Sequence, residues 1–310
     1  MSALDGHVAD YLRLRRAFGF KLHRPAQLLP QFVAYLDAAG TQTITVELAV
    51  AWARLPEGVQ PIEWAHRLSA VRGFARYLHT IDPVTEIPPA GVFAARQQRP
   101  TPYIYTPAEV AALLRAARRL HPPLRAATHE CLFGLLAVSG MRVGEAIGLA
   151  RADVDLTEGV VRVRHPKFDR DRLVPLHPSA TDALRAYVKH RDRLCPAPRS
   201  DAFFCSSVGT TLGYSGVRET FIKISTAIGL RTATSKPRIH DLRHSLAVHT
   251  LIDWQRDGVD IAAGLPVLST YLGHLNPANT YWYLSAVPEL MQPAAARLHE
   301  WSTRASGDPS

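Results

Sequence analysis

Cysteine is scarce. Cys131, Cys195 and Cys205 are the only three in 310 residues, an odd set without close metal spacing, so reduced thiols are expected rather than a disulfide framework or a cysteine-bound metal. Long apolar runs are also missing. None reaches the roughly 18 residues that a membrane helix needs, and Asp5, Asp10 and Arg13 stand where a secretory leader would be apolar. A cytoplasmic location is therefore expected. There is no Gly-x-x-x-x-Gly-Lys loop to cradle nucleotide phosphates and no acidic cluster suited to a catalytic metal. Nucleotide-driven and metal-assisted chemistry thus lack their usual signatures, and no cofactor is expected.

What is present is an ordinary globular composition with a basic excess. Hydrophobic residues make up 47% and charged residues 20%, enough for ample cores, with disorder expected only at the ends. A length of 310 residues suggests two domains. The net charge of +9 and a pI near 9.7 point to a polyanionic partner, nucleic acid first. That charge is uneven: residues 1–95 hold nine Lys+Arg against eight Asp+Glu, and residues 96–310 hold 27 against 19.

Residues 1–95 carry helical periodicity and no strand pattern. Val8, Tyr11, Leu12, Leu14 and Phe18 recur at helical spacing, Leu28 to Ala38 repeats the pattern, Val46 to Leu55 follows Thr45 as an N-cap, and Ile62 to Leu78 makes a fourth helix. Arg13, Arg15, Arg16, Lys21 and Arg24 cluster near one end. They suit either a DNA backbone or a solvated helix edge. A proline-rich stretch follows, and residues 96–105 are expected to link the two domains. Thr106-Pro107-Ala108-Glu109 then opens the second domain with a capping box and proline at the first helical position.

The second domain is organised around Ser139-Gly140-Met141-Arg142-Val143-Gly144-Glu145. The apolar run Cys131 to Val138 should be a buried helix ending at Ser139-Gly140, and Arg142 should open the next. Three residues apart on a helix, Arg142 and Glu145 lie about 60° apart around the axis, so they can pair while the guanidinium keeps donors for a phosphate. Downstream, Val160 to Val163 and Leu173 to Leu176 predict two strands joined by the charged tip His165 to Arg172, with Lys167 on it. Ser179 to Arg193 predicts a helix; the segment Ser200 to Thr211 predicts a loop whose Ser206, Ser207, Thr210 and Thr211 are candidate phosphate donors. Phe221 to Ile228 resumes helix.

His240-Asp241-Leu242-Arg243-His244 opens a further helix, with residues 240, 243 and 244 on one face. The His-x3-His spacing imitates a zinc metalloprotease helix, although Asp241 stands where glutamate is usual and Arg243 would sit beside the metal. A plain capped helix start is the third reading. Tyr271-Leu272-Gly273-His274-Leu275-Asn276-Pro277 leads into a helix, with Asn276 as N-cap, that carries Tyr281-Trp282-Tyr283. Pro288 starts a last helix, whose apolar stripe of Leu290, Met291, Ala294, Ala295 and Leu298 suits packing in cis or docking on a neighbouring protomer.

Assembled in this order, these elements resemble the tyrosine recombinase (phage integrase) family over about residues 106–290. The first box falls on Arg142 and Glu145, and the hairpin lysine on Lys167, five residues before Arg172-Leu173-Val174-Pro175-Leu176. The His-x-x-Arg box falls on His240 and Arg243, the Leu-Gly-His box on His274, and the tyrosine expected nine residues later is Tyr283. The Tyr281 to Leu290 run resembles transposon-borne members. Two departures stand out: the hairpin tip reads Pro-Lys-Phe-Asp rather than glycine-rich, and Tyr271 and Tyr281 are rival hydroxyls.

The resemblance implies a mainly α fold with a small β-sheet. It consists of an N-terminal four-helix core-binding domain (1–95), a linker (96–105), a mixed α/β catalytic domain (106–287) of the tyrosine recombinase and type IB topoisomerase type, and a C-terminal helix and tail (288–310). It implies a site-specific DNA recombinase acting in integration, excision or transposition through a 3′-phosphotyrosine intermediate, needing neither cofactor nor metal. Arg142 and Arg243 would grip the diester, Lys167 would protonate the leaving oxygen, His240 would assist proton transfer from Tyr283, His274 would hydrogen-bond the phosphate, and Glu145 would orient Arg142. Arg16, Lys21, Arg24, Arg170, Arg172, Thr210 and Thr211 are the candidate DNA contacts. Implied partners are double-stranded DNA, further copies in a synaptic tetramer and sister recombinases, at the nucleoid. Two alternatives use the same fold: a cleavage-inactive DNA-binding partner, and nicking and closing of the type IB topoisomerase kind.

Overall fold

The structure is a computed structural model that describes residues 3–93, 101–164, 171–274, 276 and 278–286. It divides into two compact units, Met1–Pro100 and Thr101–Ser310. The first contains α1 (Ala3–Ala17), α2 (His23–Ala38), α3 (Val46–Arg54) and α4 (Pro61–His79). Their apolar stripes meet in a core where Leu29, Phe32, Leu36, Trp52, Val71 and Phe74 are buried, and the Phe32 and Trp52 rings pack 5.1 Å apart. Thr45 starts α3 by accepting the Leu48 amide at 3.2 Å, the side-chain cap expected of threonine at that position. Arg67 lies over the Trp52 ring at 3.8 Å and donates to the Trp52 carbonyl, so its charge is absorbed within the core.

The second unit contains α5 (Pro107–Ala117), α6 (Pro123–Ser139), α7 (Val143–Ile147), β1 (Val154–Asp155), β2 (Val160–Val163), β3 (Arg172–Pro175), α8 (Pro178–Leu194), α9 (Tyr214–Ala227), α10 (Ile239–Arg256), α11 (Ile261–Leu272) and α12 (Ala278–Ala286). The capping box at α5 is formed in both directions: Thr106 Oγ1 accepts the Glu109 amide at 3.2 Å and Glu109 accepts the Thr106 amide at 2.8 Å. The three strands form an antiparallel sheet in order β1-β2-β3, with Val161 opposite Val174. The alternation of valine with arginine along β2 buries Val161 and Val163 while Arg162 faces out.

Two differences from the sequence expectation are instructive. Helix α9 begins at Tyr214, seven residues before Phe221, because Val217, Phe221 and Ile224 form one buried stripe after Gly213. The Ser200–Thr211 loop is pinned rather than open: Ala150 bridges Ala202, Cys205 bridges Thr211, and Phe203 and Phe204 are buried. The helix expected from Pro288 lies outside the described residues.

A small second core of Ala247, Val248, Leu251, Leu265, Leu268, Leu272 and Tyr283 joins α10, α11 and α12. Helix α6 ends at Gly140 and α11 at Gly273, both in the left-handed conformation, φ 59° and 71°. That conformation suits glycine and stops each helix sharply. These two stops deliver the residues described next.

Candidate active site

Each helix stop offers a carbonyl to one arginine. Arg243, on the first turns of α10, donates from Nη1 to Gly140 O at 2.6 Å, and Arg142, the N-cap of α7, donates from Nη2 to Gly273 O at 2.9 Å. Glu145 takes the other terminal nitrogen of Arg142, accepting its Nη1 at 2.7 Å, and also its backbone amide at 2.9 Å. The arginine–carboxylate pairing expected on α7 is therefore present, and Glu145 also does the capping work.

Glu145 holds a second guanidinium. Arg172, on β3, donates from Nη1 to Oε1 at 3.1 Å and from Nη2 to Oε2 at 2.8 Å, a two-pronged pair. Burial alone would raise the Glu145 carboxyl pKa, but Arg172 and Arg142 outweigh it and bring it down to about 2. Arg172, an expected DNA contact, is turned inward, its side chain only 12% exposed. Gly273 makes room for it: a Cβ there would meet Arg172 Nη1 at 2.5 Å.

Arg243 is 2% exposed, and among the described residues its buried Nη2 meets no acceptor. Burial first, and then the nearby Arg142, lower its pKa to about 10. A buried donor left over on a cation, beside a second cation, is an anion site in physical terms.

Tyr283, on α12, is buried, and its hydroxyl lies 2.9 Å from His244 Nδ1. His274 stacks on the Tyr283 ring at 6.2 Å and pairs through Nδ1 with Thr280 Oγ1 at 2.8 Å. Burial, then Arg243 and Arg142, hold His274 down to about 4, so it is neutral near pH 7. The His240 ring meets the His244 ring edge-on at 4.6 Å and reaches solvent at its outer side; desolvation by the protein packed around it, then Arg243, keeps its pKa below the ordinary value. Arg142, Glu145, His240, Arg243, His274 and Tyr283 are thus brought together.

The other expected site residues divide. Lys167 and Arg170 lie outside the described residues. Arg16, Lys21 and Arg24 are exposed in the first unit, where Arg24 pairs with Glu63 and, at 3.1 Å, with His66. Thr210 is half-buried with its hydroxyl on Ser206 at 2.8 Å, while Thr211 is exposed. Of the rival tyrosines, Tyr281 is exposed and the Tyr271 hydroxyl points at Pro175 O, 3.5 Å away. Asp241, which the zinc reading needs as a base, is buried and caps α10, accepting the Arg238 amide at 2.8 Å and its guanidinium at 2.7 Å.

Sequence reasoning missed the partners of two residues. His244 was placed on the right face, but its contact with Tyr283 spans 39 residues. The Arg172–Glu145 pair spans 27. A buried-strand arginine beside a helix-start glutamate leaves no local spacing signal.

The sequence model of the phage integrase family matches residues 104–289, and the chain belongs to that family. A protein named as an integrase/recombinase, y4rB of Sinorhizobium fredii, is 44% identical over 98% of this chain and 100% of its own length. The tyrosine recombinase XerD of Pseudomonas aeruginosa is 31% identical over 87% of this chain and 88% of its own. Among solved structures, the XerH site-specific recombinase bound to a palindromic difH substrate has a TM-score of 0.63 at 20% identity, covering 86% of this chain and 77% of that one. The fold is therefore that of the tyrosine recombinases, and family membership supports site-specific DNA recombination in general terms.

Proposed function

We propose that this chain cleaves and rejoins DNA at specific sites through a 3′-phosphotyrosine on Tyr283, serving the movement of a mobile element. The observation that carries this reading is the unsatisfied, buried Arg243 donor in the same site as Arg142 and Tyr283. A diester attacked by a phenol gains charge on its non-bridging oxygens, and the phenol, with a pKa of about 10, is a weak nucleophile until it loses its proton. Arg142 and Arg243 meet the first need from fixed positions, because each is held by a glycine carbonyl before substrate arrives.

In this mechanism the Tyr283 oxygen bonds to phosphorus as the bond to the 5′ oxygen breaks. Lys167 supplies the proton that the leaving oxygen needs, and His240 and His274 complete the donors around the phosphate. The phosphotyrosine keeps the diester's free energy, so a 5′ hydroxyl from another strand can reverse the attack without nucleotide hydrolysis. Family resemblance further supports assembly of several copies on double-stranded DNA.

The test is to trap DNA on the protein in cells, sequence it, and rebuild it as a nicked suicide duplex. The unaltered chain should form a covalent adduct, with the phosphate on Tyr283 by peptide mapping, and Tyr283→Phe should form none. An adduct that survives Tyr283→Phe would assign the chemistry to another hydroxyl.

A further inference from the structure

Resting on the reading above, we infer that His244, one helical turn beyond His240, is the base that takes the proton from Tyr283. The assignment differs from the one implied by family resemblance, which gives that role to His240. It follows from which imidazole touches the hydroxyl. His244 Nδ1 is 2.9 Å from Tyr283 Oη, and the rings meet edge-on with centroids 5.4 Å apart. Among the described residues the His240 ring makes no hydrogen bond; its contact is with the His244 ring. Trp282 closes over His244 at 5.6 Å, so the base is walled by His240, Trp282 and Tyr283.

The electrostatics fit a base that works only on bound substrate. Burial, followed by repulsion from His240 when protonated, from Arg238 and Arg243, and from His274 when protonated, pushes the His244 pKa down to about 3. In the free protein the ring is therefore neutral, and the role of base calls for the tautomer with its proton on Nε2, in which Nδ1 accepts the Tyr283 hydroxyl. A diester seated between Arg142 and Arg243 brings negative charge that offsets those cations, and the charge that accumulates during attack offsets them further. His244 gains basicity as the phenol must lose its proton. The proton passes from Tyr283 Oη to His244 Nδ1, the phenolate oxygen bonds to phosphorus, and the bond to the 5′ oxygen breaks. That oxygen is protonated by the general acid of the proposed mechanism. On religation His244 returns the proton to Tyr283.

The experiment is single-turnover adduct formation on the suicide duplex by the full chain, from pH 6 to 9.5, comparing His244→Asn and His240→Asn. Asparagine at 244 can still accept a hydrogen bond near the Nδ1 position but cannot carry a proton away. His244→Asn should be about 10²-fold slower at pH 7, and its rate should climb about tenfold per pH unit as solvent hydroxide supplies the phenolate, while His240→Asn keeps the native slope. A native pH profile in His244→Asn, or the steep slope appearing in His240→Asn instead, overturns the proposal.

Because a substitution beside a core can impair folding, imidazole ¹⁵N shifts of the unaltered, DNA-free chain give a second measure. His244 should be the Nε2–H tautomer, and its Nδ1 resonance should move in Tyr283→Phe; an unmoved resonance overturns the contact and the proposal with it. Absence of any adduct from the unaltered chain, with the ¹⁵N contact intact, would count against the functional reading and remove the reaction that this base serves.

Discussion

Glu145 holds Arg142 and Arg172 at once, one on the start of its own short helix and the other on β3, with side-chain exposure of only 9% for the carboxylate. Removing a buried carboxylate that neutralises a largely buried guanidinium, here that of Arg172, costs about 3 to 5 kcal/mol. Glu145→Ala should therefore lower the unfolding free energy measured in urea by that amount at pH 7 and also weaken DNA cleavage, because Arg142 loses its orientation. Glu145→Gln keeps the shape and loses the charge, so it should fall between. Unfolding curves equal to those of the native chain would show that the two guanidinium groups find other support.

Gly273 is fixed twice over, by a φ of 71° and by Arg172 lying where its Cβ would be. The guanidinium cannot swing aside freely, because Glu145 grips both prongs. Gly273→Ala should cost about 1 to 2 kcal/mol for the left-handed backbone and about 1 to 3 kcal/mol for the crowding. Gly144→Ala is the control: nothing lies within 4 Å of its Cβ position in α7, and alanine there should be neutral or stabilising by about 0.5 to 1 kcal/mol. Urea denaturation of both variants decides it.

The capping box at Thr106 and the left-handed stop at Gly140 could be anticipated from the chain because both depend on spacing within one turn. The convergence of Arg142, His240, Arg243, His274 and Tyr283 was legible through the resemblance to the tyrosine recombinase family, whose boxes fall on these residues in order. Arg172 was not. Its type and its place beside the basic hairpin suit DNA equally well, and only the folded sheet shows that β3 carries it to Glu145. His244 failed for the same reason in reverse: its helical face was evident, but α12 had to fold back on α10 before the hydroxyl partner could be seen. Asp241 shows how a motif misleads, because a carboxylate between two histidines serves equally well as the cap of its own helix.

Acid should weaken the second unit in two stages with different causes. His244 and His274 are held down to about 3 and about 4, whereas an unfolded histidine titrates near 6.5. Between those values the unfolded chain binds protons that the folded chain refuses, so stability falls as pH drops below about 6.5. Glu145 acts in the same direction at lower pH: its depressed pKa adds stability above about 4.5, which is lost as pH falls towards 2. Melting temperature should thus decline from pH 6.5 to 4, and His274→Asn should flatten that decline without altering the loss below pH 4.5. An unchanged decline in His274→Asn would show that this imidazole is not the group refusing the proton.

Arg243 sets function against stability. The folded chain holds a guanidinium that is 2% exposed, with one buried nitrogen meeting no acceptor among the described residues. The desolvation of that group is only partly offset by Gly140 O. Methionine fills similar volume without the charge, so Arg243→Met should unfold at a urea concentration no lower than the native chain. If Arg243 meets the charge that builds on the diester, the same variant should lose about 10² to 10³ in the rate of adduct formation. Arg243→Lys should recover little of it, because an ammonium cannot reach both Gly140 O and a phosphate oxygen in one plane. Both readouts are needed together: a variant that is less stable and equally slow would mean that Arg243 holds the fold, and that the buried donor is not reserved for the phosphate.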